Sequence, residues 1–212
     1  MFITLEGIEG SGKTTQIGRL VEFLENRGIE CVTTRQPGGT RIGENIRSIL
    51  LDPANSALAP MTELLLYMAD RSQHIYELIG PCLQAGKTVI CDRYFDATMV
   101  YQGFARGLNI ELIQQLHQIL FDDLKPDVTL LLDLAPQVGL QRAWQQLNNG
   151  QRSGLESRFE AETVAFHEKV RAGYLELARL EPGRFRIVDA TQSQDQVFAA
   201  MRKIVSSILE QS

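Results

Sequence analysis

Residues 7–14 read Gly-Ile-Glu-Gly-Ser-Gly-Lys-Thr, the spacing G-x-x-x-x-G-K-[ST]. Such a loop works only where a strand feeds it and a helix leaves it. Both partners are legible here. The apolar run Phe2–Glu6 precedes the loop, and an amphipathic stretch over 14–27 follows it. Glycines at 7, 10 and 12 let backbone N–H groups turn onto a phosphate chain. The helix start adds partial positive charge. Lys13 can reach β- and γ-phosphates, and Thr14 can offer its hydroxyl to Mg²⁺. Gly7, Ile8, Glu9, Gly10, Ser11, Gly12, Lys13, Thr14 and Thr15 thus form a candidate nucleoside triphosphate cradle. A chance glycine turn would lack the strand and the helix.

The rest of the chain repeats the same unit. Apolar runs at Phe2–Glu6, Cys31–Arg35, Thr88–Asp92, Val128–Asp133 and Phe185–Asp189 predict five strands. Continuous runs such as 128–132 predict strands covered on both faces. Helical patterns fill the gaps at 14–27, 44–51, 61–85, 110–121, 136–146, 159–180 and 194–210. Pro81 is expected to kink or end the third of these. Ser193 and Gln196 suit a capping box for the last. The expected fold is therefore α/β: a P-loop three-layer sandwich with a five-stranded parallel sheet and helices on both faces. The polar, glycine-containing stretch 147–158 reads as a small lid on this single domain, 1–212. In such sheets ligands bind beyond the carboxyl ends of the strands. The P-loop, Arg35 and Asp92-Arg93 all fall there.

Composition narrows the partners. With 21 basic and 26 acidic residues the net charge is −5, which argues against general nucleic-acid or membrane-surface binding. Anionic ligands must be gripped by local arginines. Cys31, Cys82 and Cys91 follow no metal spacing, nor do His74, His117 and His167, so no zinc site is expected. Near Met1 there is no basic region followed by an apolar one, and no run reaches membrane-span length. A cytoplasmic protein is expected.

P-loops serve many functions, and the fold does not choose among them. No Asn-Lys-x-Asp motif marks a GTPase. Arg35, Arg71, Arg93, Arg152 and Arg158 lie at strand ends, on a helix facing the expected cleft, or in the lid. Arginine supplies permanent planar forks for phosphates. A kinase acting on a phosphate acceptor must bring two anions together in this way. Its acceptor is already ionised near neutrality, with a second pKa of about 6, so positioning and charge neutralisation dominate.

Several ordered blocks carry a resemblance over nearly the whole chain. They are GIEGSGKTT (7–15), TRQPGGT (34–40) with Gly43-Glu44, LLLYMADRSQH (64–74), DRYFDATMVYQG (92–103), PDVTLLLDL (126–134) and SRFE (157–160). Together they resemble the thymidylate kinases, bacterial P-loop nucleoside monophosphate kinases that make dTDP from dTMP and ATP. The resemblance implies ATP and dTMP as ligands, Mg²⁺ as cofactor and a homodimer, with no nucleic-acid or membrane partner. It implies that Glu9 faces the acceptor and takes a hydrogen bond from the sugar 3′-hydroxyl. Arg35 would grip the acceptor phosphate, Tyr67 would stack on thymine, and Arg71 would donate to the base carbonyl. Thr98 and Gln102 are implied as base contacts, and Tyr101 as the ring that excludes a 2′-hydroxyl. Asp92 would help organise Mg²⁺ with Thr14. Lys13 and Arg93 would act on the phosphates, with Arg93 bridging donor and acceptor.

Some family members carry an arginine in the P-loop, but this chain has Gly10-Ser11. The charge would then come from the lid, from Arg152 or Arg158. Arg142 and Gln192 are implied near the adenine. Gln36, Ala97 and Trp144 depart from the pattern, where Glu, Ser and an arginine-rich segment are usual. Two other readings are a deoxynucleoside kinase, which needs a general base that Gln36 cannot supply, and a regulatory P-loop ATPase indifferent to any acceptor.

Overall fold

The structure, a computed structural model, describes residues 1–149 and 157–210. Five strands form one all-parallel sheet in the order β2-β3-β1-β4-β5: β1 (Phe2–Glu6), β2 (Cys31–Arg35), β3 (Thr88–Asp92), β4 (Val128–Asp133) and β5 (Phe185–Asp189). Their bounds are those the apolar runs predict. Every residue of β1 is buried, as are all of β3 and β4 except their terminal aspartates. Side chains alternate faces along a strand, so complete burial means both faces are covered. The edge strands β2 and β5 are only partly buried. The P-loop leaves β1 at the sheet centre, between β3 and β4, where chain direction across the sheet reverses.

Nine α-helical elements connect the strands in the described residues: α1 (Lys13–Glu25), α2 (Arg41–Leu51), α3 (Pro60–His74), α4 (Gly80–Gln84), α5 (Phe95–Thr98), α6 (Ile110–Phe121), α7 (Pro136–Asn148), α8 (Val164–Leu180) and α9 (Gln194–Leu209). α2 starts three residues before the expected 44, because the Thr40 hydroxyl caps Gly43 N–H at 2.9 Å. α8 starts at Val164 rather than 159, capped by Thr163. The Ser193–Gln196 capping box is present on α9.

Two segments depart from α geometry. The long helix expected over 61–85 neither ends nor breaks at Pro81. It widens to π geometry over Ile75–Ile79, with Gly80 N–H bonded to the Ile75 carbonyl, and runs on as α4. That shift removes the need for the N–H that Pro81 lacks. The second π segment, Met99–Ala105, follows α5, and no helix is read there from the sequence. It carries Tyr101 and Gln102.

Two buried charges are held by hydrogen bonds across the core. Arg184 donates to both oxygens of Asp96, at 2.6 and 2.9 Å, and to the Thr129 hydroxyl at 2.6 Å. Glu6 ends the apolar β1 and accepts from Tyr94 N–H at 2.8 Å and the Tyr174 hydroxyl at 2.6 Å. Burial first, then nearby Asp96, pushes its carboxyl up to about 7.

His74 and His117 are fully buried. His117 stacks on Phe95 with ring centroids 3.7 Å apart. Burial, then the Arg71 charge, lowers each to about 4. A depressed histidine adds stability that is present above about pH 6.5 and is lost as pH falls toward 4. Protonation of Glu6 and Asp70, both raised, acts in the opposite sense. The comparison therefore has to be between proteins. In His117→Gln the stability loss over this window should be smaller than in the parent by about 3 kcal/mol. Parallel curves of unfolding free energy against pH would remove this account.

Candidate active site

The P-loop and the strand ends frame two adjoining cavities of about 450 Å³ each. Both touch Gly10, Gly12 and Thr15. The loop is thus a ridge between them. Gly12 sits at φ 95°, a left-handed backbone that suits glycine, and no side chain caps α1. No acid lies in the first turn of α1. Its N–H groups remain available to an anion. Lys13 folds over the loop and donates to the Gly7 and Ile8 carbonyls at 3.0 Å each. Burial, then the Arg93 charge, lowers its ammonium to about 8.

Arg93 is the hub of the first cavity. Its φ is 66°, the left-handed region that non-glycine residues rarely occupy. It donates through Nη1 to the Gly7 carbonyl at 2.5 Å and the Tyr174 hydroxyl at 3.2 Å. Nη2 reaches Glu9 Oε1 at 3.0 Å. The Tyr101 hydroxyl donates to the same oxygen at 2.6 Å. Burial alone would raise the Glu9 carboxyl. The Arg93 guanidinium, then His167 and Lys13, hold it well below the usual carboxylate range. Loop, β3 end, π segment and α8 are thereby locked around one carboxylate.

The first cavity also brings together Arg35, Gln36, Tyr67, Asp92, Thr98 and Gln102. Arg35 is exposed and held by Glu44 at 2.9 and 3.1 Å. An exposed pair of this kind contributes about 0–1 kcal/mol, so it orients Arg35 without committing it. The Asp92 backbone carbonyl accepts from Gln36 N–H at 3.0 Å, while its carboxylate makes no hydrogen bond or ion pair to other described residues. Arg71 does not line the cavity. It lies fully buried behind the wall, donating to Gln36 Oε1 at 2.8 Å and the Thr98 hydroxyl at 2.6 Å. Gln102 donates to buried Glu63 at 2.8 Å.

Arg158 is not brought to the phosphate cradle. It is buried, with Nη2 2.6 Å from Glu63 and Nε 2.5 Å from the Leu50 carbonyl. A buried ion pair of this kind fixes the stretch that begins at Ser157 against α3. Arg152 lies outside the described residues, as does most of the expected lid. Arg142 and Gln192 both line the second cavity. Arg142 donates to the Ala190 carbonyl at 3.1 Å, and Gln192 to Asp189 at 2.8 Å.

Sequence reading missed Arg47, Phe159 and Glu160 on the first cavity, and His167 behind it. Arg47 lies three residues beyond Glu44 on α2, a spacing that puts both on one helix face and could have flagged it. Nothing in sequence spacing points His167 toward Glu9.

A P-loop ridge separates a cavity lined by Arg35, Arg47 and Arg93 from one lined mostly by amide side chains around Arg142, the layout of a P-loop protein with two ligand compartments. Comparison with known proteins narrows the class. The thymidylate kinase family profile matches residues 5–201. A thymidylate kinase from Desulfosudis oleivorans is 58% identical over 201 residues, covering 95% of this chain and 94% of its own. One from Trichlorobacter lovleyi is 50% identical over 99% of this chain and 98% of its own. The crystal structure of thymidylate kinase from Ehrlichia chaffeensis superposes with a TM-score of 0.76 at 33% identity, over 97% of this chain and 98% of that one. The chain belongs to the thymidylate kinase family.

Proposed function

We propose that this chain transfers the γ-phosphoryl group of ATP to the phosphate of dTMP, giving dTDP and ADP. The observation that carries this reading is Arg93. It is a permanent cation pinned between the P-loop and Tyr101, beside the ridge that separates the two compartments. In the proposed reaction an oxygen of the ionised acceptor phosphate attacks the γ-phosphorus. The bond to the β–γ bridging oxygen breaks, and ADP leaves with the electron pair. No general base is required, because the nucleophile is already an anion. Arg35 and Arg93 hold the acceptor phosphate. Lys13 exchanges its carbonyl partners for donor phosphate oxygens. Tyr67, Thr98 and Gln102 face the base, with Arg71 polarising Thr98 and Gln36 from behind. Tyr101 closes the sugar side against a 2′-hydroxyl.

Thr14 and Asp92 fit Mg²⁺. Both offer hard oxygen, both face the cavity, and Asp92 has no competing ion pair among the described residues. Mg²⁺ keeps most of its shell as water and phosphate oxygens, so two protein groups suffice. When bound it neutralises phosphate charge. Arg152 keeps the lid role implied by the resemblance. Arg158, tied to Glu63, anchors the lid's exit and lies beside Phe159 in the cavity wall.

A homodimer is part of the proposal. Leu65 on α3 and Leu112 and Ile119 on α6 are exposed apolar side chains on two helices that pack together. No helix among the described residues is long and apolar enough to cross a membrane, and we place the enzyme in the cytoplasm. A coupled assay should show ADP release that requires dTMP, from a protein that sediments as a dimer. ADP release indifferent to dTMP would replace this reading with the regulatory ATPase. Release that depends on thymidine instead would replace it with the deoxynucleoside kinase. A monomer would remove the dimer alone.

A further inference from the structure

The three histidines are all fully buried, but their ring nitrogens face different groups. His74 Nε2 meets the Thr34 hydroxyl, and His117 Nε2 donates to the Leu124 carbonyl. The Nδ1 atoms of these two have no partner among the described residues. One ring proton satisfies each.

His167, on α8, faces acceptors on both sides. Nε2 lies 3.0 Å from the Phe159 carbonyl, and Nδ1 lies 3.1 Å from Glu9 Oε2. A carbonyl only accepts, so Nε2 donates. Glu9 is held ionised by donors on its other oxygen, Arg93 and Tyr101. An unprotonated Nδ1 would set a lone pair against that anion. The ring therefore carries both protons. Its Nδ1 approach to Glu9 is too oblique for a linear hydrogen bond, so the attraction is chiefly between charges. Other charges acting on the pair are Glu160 beside Phe159, and Arg93 and Lys13 beyond Glu9. Burial works against the imidazolium, and Glu9 more than offsets it.

We propose that His167 is a positioning residue, which fixes the second oxygen of Glu9 and ties it through the Phe159 carbonyl to the segment that follows the lid. Phe159 also stands edge-on to Tyr101, with ring centroids 5.3 Å apart. One histidine thus links the P-loop acid, the sugar-side tyrosine and the lid's exit. The role in acceptor binding rests on the proposed dTMP reading, in which Glu9 meets the sugar hydroxyl.

Two substitutions separate the two ring contacts. Asn places its amide nitrogen near the Nδ1 position and Gln near the Nε2 position. His167→Gln should raise the KM for dTMP about tenfold and leave the KM for ATP within about twofold. His167→Asn, which keeps a donor toward Glu9, should raise the KM for dTMP by no more than about threefold. Equal shifts in the two variants, or shifts in the ATP value instead, would overturn the positioning role. A second measurement needs no variant to be active. In ¹⁵N-histidine-labelled wild-type enzyme at pH 7, one of three rings should show both nitrogens protonated, and that signal should vanish in His167→Asn. Three singly protonated rings would sink the inference whatever the enzyme's substrate. An enzyme with the doubly protonated ring but no response to dTMP would instead sink the functional reading and leave the His167–Glu9 contact standing.

Discussion

Arg93→Ala should lower kcat/KM for dTMP phosphorylation by at least about 10³, the low end for removal of an arginine that neutralises a transferring phosphoryl group. Two costs combine. The two phosphates would lose the fixed cation between them, and Glu9 would lose its main counter-charge while remaining buried. Removing one partner of a buried pair costs about 3–5 kcal/mol, chiefly because the other charge is stranded. A plain measurement of activity would confuse these. The double variant Arg93→Ala/Glu9→Gln separates them. Thermal stability should recover, because no orphan carboxylate remains, while turnover should stay lost. Arg93→Lys should also fail by about two orders of magnitude. An ammonium cannot span Gly7, Tyr174 and Glu9 together as the guanidinium fork does. Steady-state ADP release, with melting curves for all three proteins, decides the matter. Turnover in Arg93→Ala within tenfold of the parent would mean that Arg93 only builds the wall.

The three central strands were legible in this sequence because burial on both faces leaves a continuous apolar run with sharp ends. The run Val128–Asp133 could be read to the residue. Helix ends were less legible. A cap such as Thr40 is one hydroxyl among many, and only its geometry shows which N–H it satisfies. The π segment at Met99–Ala105 left no signal, since its period is neither that of an α-helix nor that of a strand. Within the site, charge type was readable but aim was not. Arg71 and Arg158 read like Arg93, as cations in functional blocks. The structure turns Arg71 to Gln36 and Thr98 behind the wall, and Arg158 to Glu63 and Leu50. Those partners lie 27 to 108 residues away in the chain, beyond any local pattern. His167 stayed invisible for the same reason, its partner Glu9 lying near the other end of the chain.

Gly139→Ala sets local propensity against tertiary contact, and the contact should win. Gly139 sits inside α7 with ordinary helical backbone, where Ala is better than Gly by about 1 kcal/mol. Sequence alone would predict a stabilised helix. A Cβ at 139, however, would lie 2.4 Å from the Glu9 carbonyl oxygen and 2.8 Å from Ile8 Cδ1. The converse contact is as close, since a Cβ at Gly10 would lie 2.0 Å from the Gly139 carbonyl. The P-loop is therefore seated backbone to backbone on α7. A carbonyl cannot rotate aside as a side-chain tip can, so the loop itself must shift. A misplacement of about 1 Å at a reacting centre can cost about 10²-fold in rate. Gly139→Ala should thus lose about 10²-fold in kcat/KM for ATP, and overpacking should lower stability by about 1–3 kcal/mol. Gly18→Ala on α1 is the control. A Cβ there meets nothing within 4 Å, so the same substitution should leave activity intact and raise stability slightly. If Gly139→Ala behaved like Gly18→Ala in both assays, the phosphate loop would be loosely seated. The fixed geometry that Arg93, Glu9 and Lys13 depend on would then have to come from the bound nucleotides.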